Sequence, residues 1–160
     1  MTVQDAEVGD IRQWLRLAEE AKHLFGPIVT EHGFQAALRK SVQAGDALCV
    51  REDNDAPGAP LCGGILLAPN ENRIHWLAVA RHYRGCGIAT ALVEAGMQRL
   101  DINAPVYVTT FREDVPGAAG ARALYRKFGF QSVAGESEED NPKRRTVELV
   151  RPPQARPPAF

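Results

Sequence analysis

The chain has 160 residues, of which 44% are hydrophobic and 24% charged, with 19 basic against 20 acidic side chains and a formal net charge of -1. Such values describe one globular domain with a sizeable core, and the balanced charge gives no electrostatic reason for nucleic acid or an anionic membrane as a partner. No apolar run approaches the ~18 residues of a membrane span. The acidic start, "MTVQDAEVGD", lacks the apolar stretch of a signal peptide, and three cysteines without CxxC spacing fit a reduced compartment, so a cytoplasmic location is expected. Cys49 and Cys62 are expected as buried thiols rather than a disulfide.

A first helix is predicted from Asp10, as its cap, with Gln13 three residues on in a capping-box arrangement. Ile11, Trp14, Leu15, Ala18, Ala21 and Phe25 then share one face, and Gly26-Pro27 ends it. A second helix follows over about 31–44, with Phe34, Ala37, Leu38 and Val42 inward. Strands are predicted at "ALCVRE" (47–52) and "LCGGILL" (61–67), joined by the hairpin loop "DNDAPGAP". "RIHWLAVA" (73–80) reads as a central strand, followed by a glycine-containing turn and a helix over about 87–100. "PVYVTTF" (105–111) is a further strand, and "AAGARALYRKF" (118–128) a helix stopped by Gly129. Two final strands, near 130–135 and 144–150, enclose "GESEEDNPKR".

The resulting order, ααββ, βαβα, ββ, implies an α/β fold. Its mixed sheet has six or seven strands covered by helices, with a parallel pair joined by a right-handed crossover. The domain is expected to span 1–150. Residues 151–160, with four prolines in ten, are expected to form an extended, poorly ordered tail.

The most informative stretch is "RHYRGCGIATALVEAG" (81–96). Glycine weakens helices, so two glycines in four residues at a helix entrance assign a task to the backbone there. A strand, a tight glycine turn and a helix N-terminus together expose unpaired N–H groups and the positive end of the helix dipole, which suits an anion. A plain strand-to-helix turn would also use glycines. The dinucleotide fingerprint GxGxxG fails at Thr90, and the P-loop GxxxxGK[ST] fails for want of a lysine.

Arg84-Gly85-Cys86-Gly87-Ile88-Ala89 matches R/Q-x-x-G-x-G/A, and "WLAVARHYRGCGIATALV" resembles the central motif of the GNAT superfamily of acetyl-CoA-dependent N-acetyltransferases. About 40 residues on, "ARALYRKFGF" resembles that family's A-x-x-L-Y-x-x-x-G-F element, and the element order agrees over nearly all of residues 3–150. The resemblance implies a mostly antiparallel mixed sheet with a central, splayed parallel pair, about four flanking helices, and a bulged central strand. It also implies transfer of acetyl from acetyl-CoA to an amine acceptor by direct attack in a ternary complex, without metal.

Carried over by position, the backbone of Leu77, Ala78 and Val79 would hold the thioester and pantetheine arm. Arg84 and the amides of Gly85, Cys86, Gly87, Ile88, Ala89 and Thr90 would hold the diphosphate, which sets Cys86 at the phosphate end and not at the nucleophile's place. Tyr125 aligns with the tyrosine that protonates the departing thiolate in many relatives; a helix tyrosine packing on Phe128 is the competing reading. Two positions depart from the pattern. Relatives often carry a glutamate base where Arg73 stands, and an asparagine where Ala118 stands. His75, two residues beyond Arg73 and by strand alternation on its face, is the candidate base; Glu113 and Asp114 are rivals, and no dedicated base is a third option. The acceptor is expected between loops 25–33 and 135–144. A silent acyl-CoA-binding module, a longer acyl donor and a homodimer stay open.

Overall fold

The computed structural model describes residues 1–21, 32–52, 56–133 and 146–154. In chain order the elements are β1 (Val3–Asp5), α1 (Ile11–Glu20), α2 (His32–Ala44), β2 (Ala47–Arg51), β3 (Leu61–Ala68), β4 (Arg73–Val79), α3 (Ile88–Met97), β5 (Val106–Phe111), α4 (Ala119–Lys127), β6 (Gln131–Ser132) and β7 (Thr146–Arg151). Single-turn 3₁₀ segments stand at Val8–Asp10, Pro69–Glu71 and Arg81–Tyr83. The strands form one seven-stranded sheet in the order β1-β2-β3-β4-β5-β7-β6. Every neighbouring pair is antiparallel except β4–β5, which is parallel and joined through α3. This is the mixed sheet with a central parallel pair that the sequence led us to expect.

Helices cover both faces. Trp14 and Leu38, on α1 and α2, pack with Cys49, Leu66 and Trp76 on one face, whereas Leu92 and Val93 of α3 and Tyr125 of α4 pack with Leu48, Ile65 and Val106 on the other. The adjacent glycines of "LCGGILL" explain how the helices come so close. A Cβ on Gly64 would stand 2.7 Å from the Trp14 ring, and one on Gly63 3.0 Å from Ile88. Because successive strand residues point to opposite faces, one glycine admits α1 and the other α3. Full burial of the Trp14 ring then contributes up to about 5 kcal/mol. Cys49 and Cys62 also point to opposite faces and remain free thiols.

Several expectations change. β1, three residues long, was too short to show periodicity, and exists because Val3, Gln4 and Asp5 pair with Val50, Cys49 and Leu48. Ala37 of α2 is exposed; Leu38 and Val42 carry that helix's buried face. Phe25 and Gly26-Pro27 lie outside the described residues. The last strand runs to Arg151, and the Gln154 N–H donates to the Ile102 carbonyl at 2.8 Å, so the first residues of the expected tail are part of the fold.

Asp10 does not cap α1 with its side chain. It is fully buried instead, accepting hydrogen bonds from Arg51 Nη2 (2.6 Å) and Nε (3.0 Å), from the Glu7 N–H (2.8 Å) and from the Gly58 N–H (3.0 Å). Arg51 also donates to the Asp5 carbonyl at 3.0 Å and to Gln4. Burial alone would raise the Asp10 carboxyl, but the Arg51 hydrogen bond and the two main-chain donors outweigh it, holding the group below the usual carboxylate range. A partner 41 residues away displaced the local cap that sequence spacing suggested.

Candidate active site

β4 and β5 touch only at their beginnings. Their pairing is confined to Arg73 opposite Tyr107 and Ile74 opposite Val108, although the strands run on to Val79 and Phe111. On its other edge β4 stays paired with β3 as far as Val79. That ladder changes register between Leu66–Trp76 and Leu67–Ile74, leaving His75 as the extra residue of a bulge. The Ala80 N–H donates to the Cys62 carbonyl, and antiparallel alternation then turns the main chains of Ala78 and Trp76 toward β3. Leu77 and Val79 turn theirs away, toward the gap left by β5. Of the three strand residues named for the thioester arm, all line the groove; Ala78 turns its main chain toward β3 and packs its side chain with the α1–α2 cluster.

The gap is one end of a groove of about 820 Å³. β4 forms one wall; Thr110 and Phe111 of β5, with Leu124 and Tyr125 of α4, form the other. At its far end lies the glycine turn. Gly85 (φ 76°) and Gly87 (φ 83°) are both left-handed, and no atom lies within 4 Å of where a Cβ would stand on either. Backbone conformation, not crowding within the protein, requires glycine at these two positions. The first helical hydrogen bond here is Ala91 N–H to the Gly87 carbonyl, at 3.1 Å. Among the described residues no main-chain carbonyl accepts from the six N–H groups of Gly85 to Thr90. Arg84 is exposed and directs its Nε back to the Val79 carbonyl at 3.4 Å, closing the turn onto the strand end. Ile88 points its side chain into the core while Thr90 and Ala89 stay half-exposed on the groove. Cys86 is exposed and is not part of the groove wall.

The region 44–132 matches the family model of the acetyltransferase (GNAT) domain, over more than half of the chain. The chain belongs to the GNAT acetyltransferase family. Solved structures agree on the fold. A GNAT-family acetyltransferase from Bacillus cereus superposes with a TM-score of 0.66 at 13% identity, covering 96% of this chain and 98% of that one. The PaiA N-acetyltransferase of Thermoplasma acidophilum, solved with coenzyme A, gives 0.65 at 13% identity over 94% and 98%. The ribosomal-protein-S18-alanine N-acetyltransferase of Escherichia coli gives 0.65 at 14% identity over 99% and 97%. A search by sequence among curated proteins gives no match.

In this GNAT domain, Tyr125 is buried on α4, lines the groove, and meets Phe130 edge-on at 5.6 Å, with Phe128 packed against the same cluster. Burial pushes its phenol pKa up, so the hydroxyl keeps its proton throughout the neutral range. His75 is exposed and also lines the groove. The bulge breaks the alternation that placed it on the face of Arg73: Ile74 belongs to the α3–α4 side and Trp76 to the α1–α2 side, which regular period-two spacing forbids. The groove thus brings Tyr125, His75, Leu77, Val79 and the glycine turn together.

Glu113 and Asp114 sit outside this arrangement. Glu113 accepts from Arg126 at 2.5 Å and stands 3.9 Å from Arg122, while Asp114 is 3.5 Å from Arg112. Arg73 does not line the groove and forms an ion pair with Glu148 of β7. Ala118 is buried at the groove wall as the cap of α4, and brings no polar side chain where the resemblance would place an asparagine. Thr110, Phe111 and Leu124 were not foreseen as wall residues; as ordinary strand and helix residues they carry no distinguishing sequence signal. Residues 22–31 and 134–145, which include most of both expected acceptor segments, lie outside the described residues.

Proposed function

We propose that the protein is an acetyl-CoA-dependent N-acetyltransferase acting on a primary amine of a small molecule, peptide or protein. The observation that carries this reading is a slot with unpaired strand edge leading directly to a turn with six unclaimed N–H donors. An extended, amide-bearing arm can hydrogen-bond in that gap as a strand would, about 4.7–4.9 Å from each neighbour, and the turn takes two phosphates. Arg84 adds the charge at that turn, and Thr90 a hydroxyl in the first helical turn.

In this reading the Leu77 and Val79 main chains bind the arm, and a strand N–H faces the carbonyl oxygen as it gains negative charge. One such preorganised donor contributes on the order of 10²–10³ in rate. The amine nitrogen attacks the thioester carbon directly, forming the C–N bond in a ternary complex. The C–S bond then breaks, and Tyr125 gives its phenolic proton to the sulfur. Because burial raises the phenol, proton transfer has to accompany C–S cleavage rather than follow it. His75 takes the proton the amine sheds, and solvent returns one to Tyr125.

Release of free CoA thiol from acetyl-CoA, followed across a panel of primary amines, tests the proposal. Turnover with at least one amine is expected. Tight CoA binding with no turnover on any amine would instead assign the domain as a silent acyl-CoA-binding module.

A further inference from the structure

The groove exists because two parallel strands separate, and the residues that hold their closed end are Asn72 and Arg73. Among the described residues Asn72 is the one non-glycine with positive φ, at 50°. It ends the 3₁₀ turn before β4 and makes four hydrogen bonds to the segment that leads into β5. Its Nδ2 donates to the carbonyls of Asp101 (2.9 Å) and Pro105 (2.8 Å), its Oδ1 accepts from the Asp101 N–H (2.8 Å), and its own carbonyl accepts from the Tyr107 N–H (3.1 Å). Arg73, the next residue, crosses β5. It lies over the Tyr107 ring at 5.9 Å, donates from Nη1 to Thr109 Oγ1 at 3.2 Å and pairs with Glu148 on β7.

These contacts coincide with the only residues at which β4 and β5 pair. Ahead of them lie five more residues of β4, about 16 Å at strand rise, with no β5 partner. Over that length a rotation of some four degrees about the closed end moves Val79 by roughly 1 Å relative to β5, a displacement large enough to matter for positioning an arm. The turn at Gly85–Thr90 is tied with Val79 to β3, and through Ile88 to α3, so it travels with β4 and keeps its own donors in place whatever the opening toward β5.

We propose that Asn72, seconded by Arg73, is a positioning residue that sets the opening between β4 and β5, and thereby the fit of the acyl-pantetheine arm but not of the nucleotide end. The inference rests on the acyl-CoA reading given above. A left-handed backbone and three side-chain hydrogen bonds are separable in this residue, since glycine retains the first and deletes the second.

The test compares two probes by calorimetry on the full chain. Acetyl-CoA reports the whole site; adenosine 3′-phosphate 5′-diphosphate reports the nucleotide and diphosphate without the arm. For Asn72→Gly the expected result is an acetyl-CoA Kd raised about tenfold with the arm-less probe within twofold of the parent. Asn72→Asp keeps the acceptor for the Asp101 N–H but loses both donations, and is expected to fall between; it carries the same comparison should the glycine variant fold poorly. Equal weakening of both probes would make Asn72 a general structural residue, and unchanged binding of both would leave it no part in the slot; either result overturns the inference. If the parent binds the arm-less probe and acetyl-CoA equally well, or neither of them, the acyl-CoA reading falls first and this inference with it.

Discussion

The Asp10–Arg51 cluster and the turn at Gly85–Thr90 keep their polar groups under opposite conditions. In the cluster four donors reach the Asp10 carboxylate at 2.6–3.0 Å, and Asp10 and Arg51 are buried. In the turn the main-chain donors face open space at the end of a groove and claim no main-chain acceptor. The first arrangement ties the N-terminal segment, β2 and the 56–60 loop together; the second leaves binding capacity unspent. On the function proposed above, stability and ligand recognition sit in different places in this domain, and substitutions in the two regions should separate cleanly.

The largest effect is expected at the buried cluster. Asp10→Ala removes the carboxylate that pairs with buried Arg51 at 2.6 Å, which should cost about 3–5 kcal/mol of folding stability. Denaturant unfolding reads this, while CoA affinity of the folded fraction should stay within about twofold. A marked loss of affinity in the folded fraction would break the separation. Tyr125→Phe should do the reverse: thiol-release kcat falls on the order of 100-fold, about 2.7 kcal/mol, with CoA binding retained. Normal turnover by this variant would remove Tyr125 from the chemistry.

Gly87→Val forces a β-branched residue into left-handed backbone, at about 1–2 kcal/mol in stability. It also places a side chain where the phosphates approach, so the CoA Kd should rise about 30-fold, or 2 kcal/mol, by calorimetry. His75→Gln is expected to lower the rate about tenfold, partly restored at high pH; an unchanged pH–rate profile would dismiss His75 as the base. The smallest effect is the acid limb of stability. Asp10 has a depressed native pKa, so its contribution is complete above about pH 4 and is lost as pH falls through the native value. Asp10→Ala should show a shallower loss of stability over that range.

Local chemistry sufficed for much of the fold. The helix spanning Ile88–Met97, the hairpin strands and the turn at Arg84–Gly87 follow from periodicity and from glycine's access to positive φ, properties written into adjacent residues. The glycine turn, once paired with the "ALYRKFGF" element, was enough to name the family. Tertiary contacts decided the rest. Asp10 reads as a helix cap until Arg51 arrives from β2; Val3–Asp5 has no strand signal until β2 offers an edge. The bulge at His75 depends on the register that β3 imposes, and it undid the face assignment drawn from strict alternation. The slot itself is a relation between two strands joined by a helix, held at its closed end by Asn72 and Arg73. A chain can encode such an angle only through residues far apart in order, because hydrogen bonds across strands link partners that no short window contains.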